Sequence, residues 1–170
     1  GDIDWFFEEL ERKVDLCIDQ LMERFKIQCS KKVKNYPFLM GQGIWIDSDK
    51  IGPDDSVAEI LKNGTLSIGF IGLAETLKAL TGKHHGESEE SRKLGLEIIT
   101  HMRKFCDDKS KETHLNFTLL ATPAEGLSGR FVRIDKKKYG IIPGVTDRDY
   151  YTNSNHVPVY YKCSARHKAE

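Results

Sequence analysis

The sequence has few cysteines, no long apolar run and no excess of charge of either sign. With 26 basic and 26 acidic side chains, no global field favours nucleic acid as a partner. No apolar run approaches the length needed to span a membrane, and no signal peptide opens the chain. The four cysteines lie far apart, which indicates reduced, intracellular thiols rather than a disulfide framework: Cys17, Cys29, Cys106 and Cys163.

What is present is an ordinary folded composition. Hydrophobic residues make up 39% of the 170 residues and charged residues 31%, which is typical of a globular chain. We therefore expect one cytoplasmic segment over residues 1–170. The chain starts at Gly1 without an initiator methionine, which predicts a cut or processed end.

Hydrophobic periodicity predicts an alternation of helices and strands. Helices are expected over residues 3–33, 73–80, 88–107 and 125–139, with one or two helical turns at 57–61. Strands are expected over 65–68, 117–121 and 157–161, although Pro158 argues against a central strand position for the last. This order favours an α/β fold.

The stretch from Thr122 to Gly126 is the most informative, because a strand leads directly into a helix start. Thr122 suits the N-cap, Pro123 the first helical position and Glu125 the capping-box position. Free N–H groups at such a turn bind anions, and Gly126 allows a ligand to come close. A capping box without a ligand explains the same residues, and Glu125 would repel a phosphate.

Further polar groups have two interpretations each. Residues 152–156 (TNSNH) could line a binding site or form an ordinary polar turn. His84 and His85, followed by acidic residues, fit a solvated loop and a helix start better than a metal site. Lys136–Lys138 fits the last turn of a helix rather than a nucleic-acid surface.

Several longer sequence segments, in the same order along the chain, resemble segments of class III anaerobic ribonucleoside-triphosphate reductases. They are residues 35–43 (NYPFLMGQG), 64–75 (GTLSIGFIGLAE), 80–90 (LTGKHHGESEE), 121–126 (ATPAEG) and 140–159 (GIIPGVTDRDYYTNSNHVPV). The resemblance implies part of the ten-stranded α/β barrel shared by ribonucleotide reductases and other glycyl-radical enzymes. An isolated part of such a barrel has unpaired strand edges, so we expect this chain on its own to self-associate or to expose apolar surface.

In this family, radical chemistry replaces the ribose 2′-hydroxyl with hydrogen. A glycyl radical generates the thiyl radical that takes the 3′-hydrogen. The family's finger-loop cysteine would lie before residue 1, and its glycyl-radical segment and four-cysteine zinc site after residue 170. We therefore assign no catalytic residue and no metal ligand to this chain, and expect the isolated chain to lack reductase activity.

The resemblance also implies partners and site residues. The expected partners are a ribonucleoside triphosphate substrate, nucleotide effectors, an activating radical-SAM iron–sulfur enzyme and a second copy in a homodimer, without nucleic acid or membrane. Two alternatives stay open: a non-catalytic binding module derived from the barrel, and another glycyl-radical enzyme. The expected substrate-binding residues are Thr122, Ala124, Glu125, Gly126, Ser128, Asn153 and Ser154.

Overall fold

A computed structural model describes residues 1–169 of the chain. The helices are α1 (Ile3–Cys29), α2 (Ala58–Leu61), α3 (Leu73–Thr81), α4 (Glu89–Thr113), α5 (Glu125–Tyr139) and α6 (Ala165–Ala169). The strands are β1 (Thr65–Phe70) and β2 (Asn116–Ala121), and short 3-10 turns cover Val33–Asn35 and Ser48–Lys50. Among residues 1–169, no helix is both long enough and apolar enough to cross a bilayer.

The two strands pair side by side in a small parallel sheet. The Asn116 side-chain amide donates to the Thr65 hydroxyl at 2.8 Å, and the Ser67 and Thr118 hydroxyls lie 3.1 Å apart. The paired residues advance together along both strands, as parallel pairing requires, and α3 and α4 form the crossover. The mixed architecture confirms the predicted α/β class.

The predicted third strand at residues 157–161 is wrong. Among the described residues this segment is irregular, and the sheet has only β1 and β2. Side-chain contacts hold the segment instead. Pro158 is fully buried, the Tyr161 ring meets His84 edge-on at 4.8 Å between centroids, and the Arg148 guanidinium lies 3.4 Å from the Tyr160 ring centroid. Pro158, Tyr160 and Tyr161 therefore pack against other side chains instead of forming a strand, while Val159 is exposed.

The described chain forms two compact units. Unit 1 contains residues 1–10, 69–104 and 119 onward, and unit 2 contains residues 11–68 and 105–118. In unit 2, a core cluster joins Val33, Met40, Val57 and Ile60. In unit 1, α3 and α4 pack closely at Gly95, where an added Cβ would lie 3.1 Å from Leu77, a fully buried side chain. The prediction of a single barrel segment over 1–170 stays a prediction.

The bounds of the two long helices differ from expectation. Helix α1 ends at Cys29 rather than near residue 33, and it buries Val14 and Ile18 while Cys17 is exposed. Helix α4 runs to Thr113, six residues past the expected end. Its polar last turns carry i,i+3 ion pairs, Lys109 with Glu112 and Lys111 with Asp108, which support helix without an apolar stripe.

Helix α5 has the predicted bounds but buries a different face. Ser128 and Val132 are its buried side chains. The apolar side chains of Leu127, Phe131 and Ile134, which share one face of the helix by their spacing, are 42% to 50% exposed. The position of the helix, rather than its apolar pattern, therefore decides which side chains reach the core of unit 1.

Candidate functional site

The turn between β2 and α5 is not the predicted capping box. The helix begins at Glu125 with Ala124 at the N-cap, and no side chain caps it. The Ala124 N–H donates to the Thr122 carbonyl at 3.1 Å, so Thr122 and Pro123 form a tight turn before the helix. The Thr122 hydroxyl donates to the Leu120 carbonyl at 3.4 Å. The Thr122 side chain therefore serves the end of the strand, and not the start of the helix.

This turn leaves backbone donors at the start of α5. The N–H groups of Leu127 and Ser128 donate to the Ala124 carbonyl, at 3.1 Å and 2.9 Å. Within the described chain, the N–H groups of Glu125 and Gly126 have no acceptor. A Cβ added at Gly126 would meet no atom within 4 Å, so the space beside this backbone is open. The helix start can therefore bind an anionic or polar group.

A cavity of about 520 Å³ lies beside this helix start, within unit 1. Of the predicted site residues, it brings together Glu125, Ser128 and Asn153. Ser128 is 5% exposed, and its hydroxyl donates to the Glu125 carbonyl at 3.1 Å. The volume falls in the range of small-molecule sites. Among the described residues, its lining is Glu125, Ser128, Tyr150, Tyr151, Thr152, Asn153, His156, Val157, Val159 and Lys168.

The other predicted residues do not line this cavity. Thr122, Ala124 and Gly126 belong to the turn and the helix start. Ser154 is 3% exposed with a φ of 45°, which places it in a tight turn after Asn153. Asn153 therefore lines the cavity and Ser154 forms a turn, and ligand binding by residues 152–156 stays a prediction.

Two tyrosines in the wall, Tyr150 and Tyr151, were missed by the sequence analysis, and Thr152 was not among the expected substrate-binding residues. The Tyr151 hydroxyl donates to Asp135 Oδ2 at 2.7 Å. Burial and this hydrogen bond raise the pKa of Tyr151 far above its usual range, so the phenol stays protonated. Thr152 donates from its N–H and its hydroxyl to Glu75 Oε1, at 3.0 Å and 2.6 Å. In the sequence, the aromatic pair Tyr150–Tyr151 directly before the TNSN segment could have indicated these wall residues.

A second cavity of about 620 Å³ in unit 1 carries basic side chains. Arg92, His156, His167 and Lys168 line it together with His85. Burial lowers the pKa of His85 more than the nearby Asn155 and His156 backbone raises it, which favours the neutral ring. In the described residues, no three His, Cys, Asp or Glu side chains converge to hold a metal.

The expectation that His84 lies in a solvated loop is wrong. His84 is 2% exposed, and its Nδ1 accepts the Gly86 N–H at 3.0 Å. Glu87 binds Lys78 at 2.9 Å and accepts the His84 N–H at 2.8 Å. These contacts build an ordered corner before α4 that charge and histidine content alone did not predict.

Comparison with known proteins identifies the family. A family model described as anaerobic ribonucleoside-triphosphate reductase matches residues 1–170. Proteins of that name from Escherichia coli (strain K12) and Haemophilus influenzae (strain Rd) are each 36% identical, over 100% and 97% of this chain. The enzyme of that name from Enterobacteria phage T4 is 36% identical over 91% of it. The chain spans about a quarter, 24%, of the length of these relatives. The chain belongs to the anaerobic ribonucleoside-triphosphate reductase family.

Proposed function

We propose that the full protein reduces ribonucleoside triphosphates to deoxyribonucleoside triphosphates, and that this chain supplies barrel wall and a nucleotide-binding cavity. The observation that carries the site is the meeting of an uncapped helix start with the cavity at Glu125, Ser128 and Asn153. The family membership supports the reaction.

The cavity offers distinct groups for the parts of a nucleotide. The open N–H groups of Glu125 and Gly126 suit phosphate oxygens, because a helix N-terminus carries partial positive charge. The carboxylate of Glu125 accepts hydrogen bonds, so it suits a ribose hydroxyl and not a phosphate. The Asn153 amide can donate and accept, and the Tyr150 ring supplies aromatic surface for a base or ribose.

The family's glycyl radical, when in place, would generate the thiyl radical that abstracts the 3′-hydrogen. In this chain the four cysteines are free, and Cys106 is buried while Cys17 is exposed. Within the described residues, no three His, Cys, Asp or Glu side chains converge to hold a metal ion. We assign no radical position and no zinc ligand to this chain, whose residues bind and orient the substrate.

The wider setting follows from the same proposal. The two-stranded parallel sheet would be part of the ten-stranded barrel, completed by the rest of the protein. The complete enzyme would respond to nucleotide effectors, work in the cytoplasm, pair as a homodimer and receive its radical from an activating radical-SAM iron–sulfur enzyme.

Nucleotide titration of the full-length protein tests the site. ATP, GTP, CTP and UTP are each titrated into the wild type, Ser128→Ala and Gly126→Val. Loss of the Ser128 hydroxyl should weaken affinity about fivefold, the effect of one hydrogen bond of ~1 kcal/mol. A valine at Gly126 places methyl groups in the open space beside the helix start and should weaken affinity at least as much.

A matched control is Ser30→Ala. Its hydroxyl donates to the Ile27 carbonyl at 2.7 Å, the same i−3 contact that Ser128 makes, but Ser30 does not line the cavity. It should leave nucleotide affinity unchanged. Wild-type affinity in both Ser128→Ala and Gly126→Val would refute the assignment of this cavity to the nucleotide.

A further inference from the structure

Three hydrogen bonds fix Thr152 to the start of α3. The Gly72 N–H donates to the Thr152 carbonyl at 2.7 Å. The Thr152 N–H and hydroxyl both donate to Glu75 Oε1, at 3.0 Å and 2.6 Å. The next residue, Asn153, pairs with Ile71 in an isolated antiparallel bridge. This segment is therefore held by backbone and side chain together.

The arrangement is a capping box with another segment inserted into it. Gly72 is the N-cap of α3, and Glu75 lies three residues later, where a capping-box glutamate would accept the N-cap N–H. Here the Gly72 N–H and the Glu75 carboxylate both bind Thr152 instead. A helix start that could cap itself locally thus holds a segment 77 residues away.

Glu75 is buried for this contact. It is 4% exposed, and within the described chain its Oε2 has no hydrogen-bond partner. Burial of a carboxylate is unfavourable unless hydrogen bonds offset it, and within the described chain the Thr152 N–H and hydroxyl donate to this one. A merely local helix cap would not require such burial.

The anchored segment forms one wall of the cavity. Thr152 and Asn153 line it, and the preceding residue, Tyr151, donates its N–H to the Ser128 carbonyl at 3.4 Å. Residues 151–153 therefore connect the start of α3 to the start of α5. Whatever holds Thr152 also sets the distance between Asn153 and the donors of α5.

We propose that Glu75 is a positioning residue for the nucleotide site: its buried carboxylate holds Thr152, and so fixes Asn153 opposite the start of α5. Glu75 touches no nucleotide itself, since it does not line the cavity. The proposal rests on the proposed function of that cavity.

Glu75→Asp in the full-length protein is the primary test. Aspartate keeps the charge in the first helical turn but is shorter by one methylene, so it withdraws from Thr152. We expect about tenfold weaker nucleotide affinity, and faster amide hydrogen exchange in residues 151–154. Glu75→Gln keeps an acceptor at Oε1 and places its amide nitrogen at the unpartnered Oε2 position, so it should bind within about threefold of wild type.

Leu77→Ala is the control for general loss of stability. Leu77 is fully buried on the same helix and does not line the cavity. It should lower Tm more than Glu75→Asp does and leave affinity unchanged below that Tm. Equal weakening by Leu77→Ala and Glu75→Asp would overturn the positioning role.

The outcome separates the two proposals. If Ser128→Ala weakens binding and Glu75→Asp does not, the cavity binds nucleotide and the role of Glu75 is refuted. If Ser128→Ala, Gly126→Val and Glu75→Asp all bind as the wild type does, the cavity assignment fails and the role of Glu75 falls with it. Weakened binding in Glu75→Asp with recovery in Glu75→Gln supports both.

Discussion

At the scale of single residues, His84 shows how burial sets a charge state. Burial lowers the pKa of its ring, the nearby His85 and Lys78 lower it further, and Glu87 opposes them. Its Nδ1 accepts a backbone N–H, which a protonated nitrogen cannot do. The folded chain therefore holds His84 neutral.

This neutrality predicts acid sensitivity near pH 6. The folded pKa of His84 lies below its ordinary value of 6.5, so the unfolded chain binds the proton more readily and stability falls as pH drops below 6.5. Each proton taken up on unfolding changes the unfolding free energy by at most about 1.4 kcal/mol per pH unit. Thermal melts of the chain at pH 7.5, 6.5 and 5.5 measure the slope.

His84→Asn supplies the comparison, because its side-chain oxygen can accept the Gly86 N–H without titrating. It should flatten the slope between pH 6.5 and 5.5, with His85 contributing what remains. Burial raises the pKa of Glu87, but hydrogen bonds from His84 and Lys78 lower it more, so Glu87 stays ionised in this range. An unchanged slope in His84→Asn would contradict the assignment to His84.

Residue types alone could locate the candidate site but not its contacts. The turn at Thr122–Gly126 and the polar segment around Asn153 were found because strand ends and small polar residues are typical of turns and candidate binding sites. The capping role of Thr122 was wrong because a turn from Ala124 to Thr122 delays the helix. The Glu75–Thr152 contact joins residues 77 positions apart, which no local pattern encodes.

At the scale of elements, the residues at the ends of a helix decided whether its bounds could be predicted. Helix α3 was predicted over residues 73–80 and runs from Leu73 to Thr81. The prediction was close because glycines flank the helix. Gly72 and Gly82 both adopt the left-handed conformation that glycine tolerates at helix ends. The extension of α4 was missed because ion pairs replace its apolar stripe. His114, with a φ of 57°, follows its last residue.

Ser110 links the extended end of α4 to the start of β2. Its hydroxyl donates to the Cys106 carbonyl at 2.9 Å and accepts the Phe117 N–H at 2.9 Å. Phe117 is 3% exposed, so Ser110→Ala would leave a buried donor without its partner. We expect a loss of about 1–3 kcal/mol in the free energy of unfolding, measured by urea denaturation.

The exposed Ser30 again provides the control, since its hydroxyl also donates to a helix carbonyl but accepts no buried N–H. Ser30→Ala should cost less than 1 kcal/mol. Equal losses in the two variants would show that the Phe117 N–H gains nothing from Ser110.

At the scale of the whole molecule, much apolar surface is exposed within unit 1. Trp5 is 61% exposed and Ile3 39%, whereas Phe7 packs against His101 at 5.1 Å between ring centroids. The α5 stripe of Leu127, Phe131 and Ile134 adds to this surface. Exposed apolar side chains in this number are typical of surfaces that bind other protein.

The 170-residue chain on its own should therefore self-associate or bind a hydrophobic dye. Sedimentation and dye fluorescence measure the two effects. Phe131→Gln combined with Ile134→Gln should reduce them, while Tyr139→Gln on the same helix, outside the stripe, should change them less. A compact monomer that binds no dye would contradict the prediction.

The hydrogen bonds between Glu75 and Thr152, which lie far apart in the sequence, also have a consequence for synthesis on the ribosome. Translation at about 5–20 residues per second separates the emergence of these two residues by about 4–15 s. During that interval the start of α3 has its glutamate but not the segment it binds. Nascent chains stalled between these residues should therefore be more sensitive to protease around α3 than chains stalled after residue 152 has left the exit tunnel.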